Sequence, residues 1–222
     1  MVALAACGSG PKPPSLTSAT ARTTAAGSAQ FELSVKATLG TALLQTVEAG
    51  TVSLRARQAH VYKTTTQGRF EEVIYDGPVE YTNAVAAVAL SNPNVKPWLR
   101  LRAPGATDVE HVQVLVYLPT GATAVRRVGA EKIGGVETAH YRATIEPRRM
   151  HLSPRLQAAL TADFGRRPFP ADLWVGSDGR LRRVRVERRS PNSKVAIVAG
   201  FHDFGAKVSV TPPPADEVQS VP

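Results

Sequence analysis

The chain has 222 residues, of which 43% are hydrophobic and 20% are charged, a composition typical of a globular protein. This length accommodates one domain of about 180 residues with a substantial core. The formal net charge of +9 comes mostly from arginine, since five Arg-Arg pairs occur at 126–127, 148–149, 166–167, 182–183 and 188–189. Only 6% of the residues are aromatic and no nucleic-acid-binding module is recognisable, so we expect no nucleic-acid partner. Anionic lipid headgroups or a GC-rich genome would explain the arginine excess.

The sequence contains no apolar run approaching the roughly 18–20 residues that a membrane-spanning helix needs. If the protein is associated with a membrane, we therefore expect an anchor rather than a span. The single cysteine excludes an intramolecular disulfide and a cysteine-based metal site.

That cysteine, Cys7, ends the segment LAAC, in which an aliphatic and two small residues precede it. The pattern is that of the bacterial lipobox, whose cysteine receives a diacylglyceryl group and becomes residue one. We predict lipidation of Cys7 and interpret residues 1–7 as the remnant of a lipoprotein signal peptide. A complete signal needs a basic segment and an apolar segment of about 7–15 residues, so we expect an upstream start or a truncated chain. The alternative is an ordinary thiol in a cytosolic protein.

Residues 8–28 are rich in Gly, Pro, Ser and Thr and have almost no large apolar side chain. Such a segment cannot form a core, so we predict a disordered tether. A flexible coil of this length would reach roughly 25 Å, which suits a domain held close to a membrane.

The sequence changes abruptly at Gln30. Apolar residues alternate with polar ones over residues 31–39, which is typical of a strand with one wet face. Further strands are predicted at 51–57, 60–66, 69–75, 79–81, 97–102, 125–133, 136–145, 171–175, 181–189, 194–204 and 206–211. Short turns between them favour an antiparallel meander over parallel crossovers. The prolines at 212–214 should end the ordered domain of residues 29–211 and leave residues 212–222 as a proline-rich tail.

Two helices are predicted within this series of strands. Residues 153–164 form the clearest one, with Ser153 as N-cap, Pro154 at the first helical position and Gly165 after its end. Residues 107–118 are compatible with either element, and we predict a helix. An Ala-rich piece at 83–90 could add one or two helical turns.

Together these elements, twelve candidate strand segments and two helices, predict an α+β fold in which about 10–11 antiparallel strands form one curled sheet, a half-barrel. So many strands in one sheet must curl, and helices then cover the concave apolar face. The candidates for lining a cavity there are the inward strand residues Phe31, Leu33, Val35 and Leu54 and the helix stripe Leu156, Leu160 and Phe164. The alternative is a filled core.

No catalytic, metal-binding or cofactor-binding motif accompanies this pattern. The five histidines are scattered without metal-ligand spacing, and no nucleophile elbow, phosphate-binding loop or dinucleotide fingerprint occurs. His202 and Asp203 are adjacent, but neighbours in a strand point to opposite faces and would make a poor dyad. We therefore predict a protein that is not an enzyme and has no metal, cofactor or catalytic residue.

Several segments between residues 31 and 218 resemble the actinobacterial LppX/LprAFG lipoproteins, which share their fold with the LolA-type carriers. The segments are PWLR at 97–100, EKIGGVETAHYR at 131–142, DLWV at 172–175 with DGRL at 178–181, and DFG at 203–205 followed by 208–218. Each segment is uninformative alone, but their order and spacing together carry the resemblance. The incomplete signal segment is the one departure from the family pattern.

The resemblance implies a half-open β-barrel draped by helices, a pocket for acyl chains and a diacylated Cys7. It implies no conserved polar ligand motif, because the family's pocket is a surface of apolar side chains. We expect a monomer that binds a lipid or glycolipid in a hydrophobic cavity and is held by its lipid anchor at the outer face of the cytoplasmic membrane. It could also carry this lipid across the envelope.

The alternative is an accessory or signalling lipoprotein that contacts a membrane sensor or cell-wall enzyme without transporting lipid. A large apolar cavity favours carriage, whereas a packed interior with an exposed apolar patch favours the accessory role.

Overall fold

The computed structural model describes residues 15–83, 95–102, 107–191 and 193–220. The helices in these ranges are α1 (Leu16–Ala25), α2 (Asp108–Tyr117) and α3 (Pro154–Phe164). Single 3-10 turns lie at Leu118–Gly121, Pro147–Arg149 and Ala215–Glu217. The Ala-rich piece predicted at 83–90 lies, apart from Asn83, outside the described residues.

The described residues also form twelve strands. They are β1 (Ser28–Leu39), β2 (Ala42–Ser53), β3 (Gln58–Thr65), β4 (Phe70–Asp76), β5 (Val79–Thr82), β6 (Trp98–Arg102), β7 (Ala122–Ile133), β8 (Val136–Ile145), β9 (Phe169–Gly176), β10 (Leu181–Ser190), β11 (Ser193–His202) and β12 (Val218–Ser220).

All twelve strands belong to one sheet with the order β12-β6-β5-β4-β3-β2-β1-β11-β10-β9-β8-β7. Every neighbouring pair is antiparallel except β12 and β6, and the two edges of the sheet do not pair with each other. The prediction of a curled, open antiparallel sheet with a few helices is confirmed, with one strand more than the 10–11 expected.

The pairing of β1 with β2 and β11 determines which side chains share the inner face of the sheet. Leu33 lies opposite Glu48 on β2 and Ala199 on β11, while Val35 lies opposite Thr46 and Ile197. Because side chains alternate between faces along a strand, these positions all point to one side. That side is the concave face, which the helices cover.

The core lies between this concave face and the three helices. Strand residues such as Phe31, Val61 and Phe201 and helix residues such as Leu115 and Leu160 are buried in one continuous cluster. The side chain of Gln113 on α2 donates to the backbone oxygens of Ser53 and Ala56 at 2.8 and 2.9 Å and so fixes α2 to the sheet.

The helix α1 corrects the prediction that residues 8–28 form a disordered tether. Leu16, Ala19, Thr20 and Thr23 recur at helical spacing, and all four are buried against the domain. The hydroxyl of Thr20 donates to the backbone oxygen of Val116 at 2.8 Å. A polar side chain thus attaches α1 to the domain, where a large apolar side chain would usually pack. Residues 8–14 lie outside the described part of the chain.

The C-terminal part corrects a second prediction. After the prolines at 212–214 the chain is ordered again, since β12 adds to β6 in parallel and pairs Val218 with Trp98. The strand predicted at 206–211 is absent, because these described residues have no strand pairing. The strand predicted at 51–57 is displaced: β2 starts at Ala42 and ends at Ser53.

Replacing Thr23 with valine tests how firmly α1 is held. The Thr23 hydroxyl donates to the backbone oxygen of Ala19 at 2.7 Å and accepts from the backbone N–H of Leu181 at 2.8 Å, in a fully buried setting. Valine keeps the shape but leaves the Leu181 N–H without an acceptor. We therefore expect the free energy of unfolding, measured by urea denaturation, to fall by about 1–3 kcal/mol. Thr17→Val on the exposed side of the same helix is the control, and an equal loss there would contradict this role.

Candidate functional site

A cleft remains open between the concave face of the sheet and the helices α2 and α3. Its volume is about 360 Å³. Its lining residues are Leu33, Val35, Glu48, Asp108, His111, Leu115, Ala162, Asp163, Val195 and Ile197.

One wall of the cleft is apolar and belongs to the sheet. Leu33 and Val35 on β1 and Val195 and Ile197 on β11 point to the concave face next to each other. Leu115 on α2 continues this surface from the helix side. Such a wall offers aliphatic contact and no hydrogen-bonding groups, which suits a hydrocarbon chain.

The other wall carries titratable side chains, of which Glu48 is the most unusual. Glu48 lies on β2 directly between Leu33 on β1 and Lys63 on β3, with only 8% of its surface exposed. Its Oε2 atom is buried and has no hydrogen-bond partner among the residues that the structure describes. Burial, reinforced by the nearby charge of Asp108, raises the pKa of Glu48 from 4.5 to about 7.

Asp108 joins the first turn of α2 to the sheet. Its carboxylate accepts from the Tyr75 hydroxyl at 2.5 Å and forms an ion pair with Lys63. Burial alone would disfavour the charged Lys63, but the carboxylates of Asp108 and Glu48 outweigh it, so the Lys63 pKa is raised. Lys63 therefore remains a cation that is paired with Asp108 and attracted by the carboxyl group of Glu48.

His111 and Asp163 link the two helices across the cleft. The Nδ1 atom of His111 lies 2.7 Å from Oδ2 of Asp163. This hydrogen bond raises the pKa of His111 against the opposing effect of burial. The pair connects α2 to α3 at the cleft that both residues line.

The predicted cavity residues do not line a single space. Leu33 and Val35 line the cleft, whereas Phe31, Leu160 and Phe164 are no more than 1% exposed and fill the core. The filled core expected as the alternative therefore applies to these three positions.

Leu54 and Leu156 line a second cavity of about 340 Å³. This cavity is bordered by charged side chains of Arg55, Arg57, Glu110 and Arg155. Arg57 and Glu110 form an ion pair at 2.7 Å there. A site so rich in charge is less suited to a hydrocarbon chain than the cleft is.

Sequence reasoning missed Glu48, Asp108, His111 and Asp163 as members of one site. A signal for Glu48 was present: Val52 and Gly50 alternate inward, and extending that alternation by two residues places Glu48 on the concave face. The other three come together only because α2 packs against α3. The adjacent His202 and Asp203, expected to point apart, do contact at 3.1 Å, because β11 ends at His202 and Asp203 has a φ of 42°.

Among the described ranges, no group of three or more His, Cys, Asp and Glu side chains is arranged to hold a metal ion. No helix in those ranges is both long and apolar enough to cross a bilayer.

A curled open sheet with helices on its concave face is also the fold of solved structures to which this chain is similar. The chain is similar to the solved structure of LprF from Mycobacterium bovis, with 15% identity, a TM-score of 0.60, and coverage of 91% of this chain and 99% of that one. It is also similar to the Mycobacterium tuberculosis lipoprotein LppX, with 14% identity, a TM-score of 0.53, and coverage of 88% and 98%. The predicted resemblance to the LppX/LprAFG lipoproteins is thus confirmed at the level of the fold. No family model and no curated protein matches the sequence.

Proposed function

We propose that this protein is a lipid-anchored lipoprotein that binds an acyl-chain lipid or glycolipid in the cleft between the concave face and α2 and α3. The single observation that carries the proposal is the division of the cleft into an aliphatic wall and a polar wall. A lipid has the same division between its chain and its headgroup.

The aliphatic wall supplies the binding energy in this proposal. Moving a hydrocarbon chain from water onto Val35, Val195 and Ile197 gains about 0.8 kcal/mol for each buried CH₂. A volume of about 360 Å³ falls within the range of small-molecule sites. The cleft would hold part of a chain, and the remainder would extend beyond it.

The polar wall favours an uncharged, hydroxyl-bearing headgroup over a phosphate. The two cations beside the cleft, Lys63 and His111, are already engaged by Asp108 and Asp163, which leaves them less able to bind a phosphate. The unpartnered Oε2 of Glu48 would accept a hydrogen bond from a hydroxyl group and thereby lose its desolvation penalty.

Anchoring is the second part of the proposal. Lipidation of Cys7, which lies outside the described residues, would hold the domain at the outer face of the cytoplasmic membrane. With α1 packed on the domain, the tether is shorter than the sequence suggested and ends before Leu16. In this arrangement a monomer would take up lipid near the bilayer surface and release it by opening the cleft.

Blocking the cleft with a bulky side chain tests the proposed binding site. The variant Val35→Trp places an indole in the cleft from a half-buried position, and we expect roughly ten-fold weaker binding of a fluorescent fatty acid, the equivalent of about two lost CH₂ contacts. The control is Val47→Trp, which adds the same indole to an exposed position of the next strand and should bind as the unmodified protein does. Equal binding by both variants would argue against the cleft.

A second candidate is the accessory role without lipid transport. It is favoured by the filled core around Phe31, Leu160 and Phe164, which leaves far less space than a barrel-wide cavity would. Native mass spectrometry of the protein from a mycolate-containing host separates the two. A co-purifying lipid supports binding, and its absence together with failure to bind lipid in vitro favours the accessory role.

A further inference from the structure

Three of the five Arg-Arg pairs of the sequence come together at one end of the sheet. The pair 148–149 follows the end of β8, the pair 166–167 precedes β9, and the pair 188–189 closes β10. The pairing of Ile145 with Phe169 and of Ala171 with Val186 brings these three strand ends side by side. Arg148 and Arg166 line one surface cavity, and Arg188 donates to the backbone oxygen of Asp163 at 3.0 Å.

Three hairpin ends lie beside these pairs. The β10–β11 turn pairs Ser190 with Ser193, Ser193 lies opposite Leu39, and Leu39 lies opposite Ala42. The end of β3 and the start of β4 follow on the next strands. We name this surface the basic end. It comprises residues 36–45, 65–70, 147–149, 165–168, 188–191 and 193–195.

The basic end has an extreme charge balance. It contains nine of the 27 Lys and Arg residues and none of the 18 Asp and Glu residues. All nine cationic residues are exposed, namely Lys36, Arg69, Arg148, Arg149, Arg166, Arg167, Arg188, Arg189 and Lys194. In the sequence, Glu71, Glu146 and Glu187 directly adjoin these segments, and Glu71 and Glu187 form ion pairs with Arg69, Arg189 and Lys194.

Large apolar side chains are exposed on the same surface. Phe70 is 59% exposed, Leu43 is 58% exposed and Leu44 is 43% exposed, and all three lie at or next to hairpin turns. Folding therefore leaves these side chains largely in contact with water. Exposed apolar residues surrounded by cations are the combination that binds an anionic bilayer, where chains enter the interface and cations meet phosphates.

We propose that the basic end is a docking surface for an anionic lipid bilayer. Leu43, Leu44 and Phe70 enter the interface, and the surrounding arginines and lysines contact the lipid phosphates. Val35 and Val195 of the cleft lie at this same end, so docking directs the cleft toward the membrane surface. A nucleic acid would use the cations but would gain nothing from exposed leucine side chains, so the bilayer explains both features.

Flotation with vesicles tests this surface separately from the lipid anchor. The full chain carrying Cys7→Ser, which cannot be acylated, is mixed with vesicles of equimolar phosphatidylglycerol and phosphatidylcholine or of phosphatidylcholine alone. We expect binding to the anionic vesicles only, and weaker binding as salt rises. Equal binding to both vesicles, or to neither, overturns the proposal.

Two matched pairs of variants localise the contact. Arg166→Gln with Arg167→Gln should weaken vesicle binding roughly 30-fold, the effect of two basic residues near an anionic surface. Arg126→Gln with Arg127→Gln removes the same charge from exposed positions in the middle of β7 and should leave most binding intact. Equal losses in the two double variants indicate binding through overall charge and overturn the assignment.

A tryptophan at position 70 reports insertion. On anionic vesicles, Phe70→Trp should show a blue-shifted emission beyond that of the unmodified protein, while Val125→Trp, a 47% exposed position on β7, should show none. An unshifted Phe70→Trp, or binding to nucleic acid that survives Leu43→Ser with Phe70→Ser, points to a polyanion partner and overturns the bilayer proposal. Arg166→Gln with Arg167→Gln lies outside the cleft lining and should bind the fluorescent fatty acid as the unmodified protein does, so lipid binding and docking fail independently.

Discussion

Replacing Phe164 with alanine should lower the free energy of unfolding by about 3–5 kcal/mol. Phe164 ends α3, is 1% exposed, and stacks on Phe169 with ring centroids 4.8 Å apart. Alanine would leave a cavity where α3 meets the start of β9, and the surrounding strands cannot move in to fill it. Asp163 is the neighbour of Phe164, so its hydrogen bond to His111 would weaken and the shape of the cleft would become less fixed.

Urea denaturation measures this loss, and thermal unfolding should shift down by roughly 10 °C. The control is Phe70→Ala, in which the same side chain is removed from a 59% exposed position. We expect a change within about 0.5 kcal/mol there. A small loss for Phe164→Ala would mean that α3 is held mainly by its polar contacts.

Replacing Glu48 with glutamine should remove about 3 kcal/mol of the change in unfolding free energy between pH 4 and pH 8. The carboxyl group of Glu48 has a pKa of about 7 in the folded protein against 4.5 ordinarily, because burial penalises its charge. Since the folded-state pKa is the higher one, the protonated carboxyl stabilises the fold below pH 4.5. This contribution is lost as the pH rises through 7.

The two proteins should therefore be equally stable near pH 4, and the Glu48→Gln variant should be the more stable one near pH 8. Urea denaturation at both pH values provides the measurement. Glu32→Gln on the exposed side of β1 removes a carboxyl of the same type outside the cleft and serves as the control. A difference that stays constant with pH would show that folding does not shift the pKa of Glu48.

The loss of stability expected from the buried Glu48 is explained by its proposed role in ligand binding. A buried carboxyl group with an unpartnered oxygen is a burden that a purely structural position would avoid, since a leucine there would continue the apolar surface of Leu33 and Ile197. Titratable groups with shifted pKa values concentrate in functional sites for this reason. The stability that Glu48 costs is consistent with its proposed contact to a ligand hydroxyl.

Local patterns predicted most of the fold. The alternation over residues 31–39, the short turn between the strands predicted at 125–133 and 136–145, and the capping residues around α3 each depend on neighbours close in sequence. The structure has a strand, a hairpin and a helix there. The burial of Phe31, Leu160 and Phe164 followed from the same periodicity. Helix α1 escaped this reasoning because its contacts come from Thr20 and Thr23, whose hydroxyl groups bond to distant parts of the chain.

The sequence by itself determined the class of fold, the inward face of the sheet and the lipobox pattern at Cys7, because each is encoded within a few residues. Only the tertiary structure decided which inward residues line an open cleft and which fill the core, since this depends on where α2 and α3 lie. It also decided that Glu48, Asp108, His111 and Asp163 meet, and that three distant arginine pairs share one end of the sheet. Strand pairing and the packing of α2 against α3 bring these residues together from separate segments of the sequence, and no local pattern contains that information.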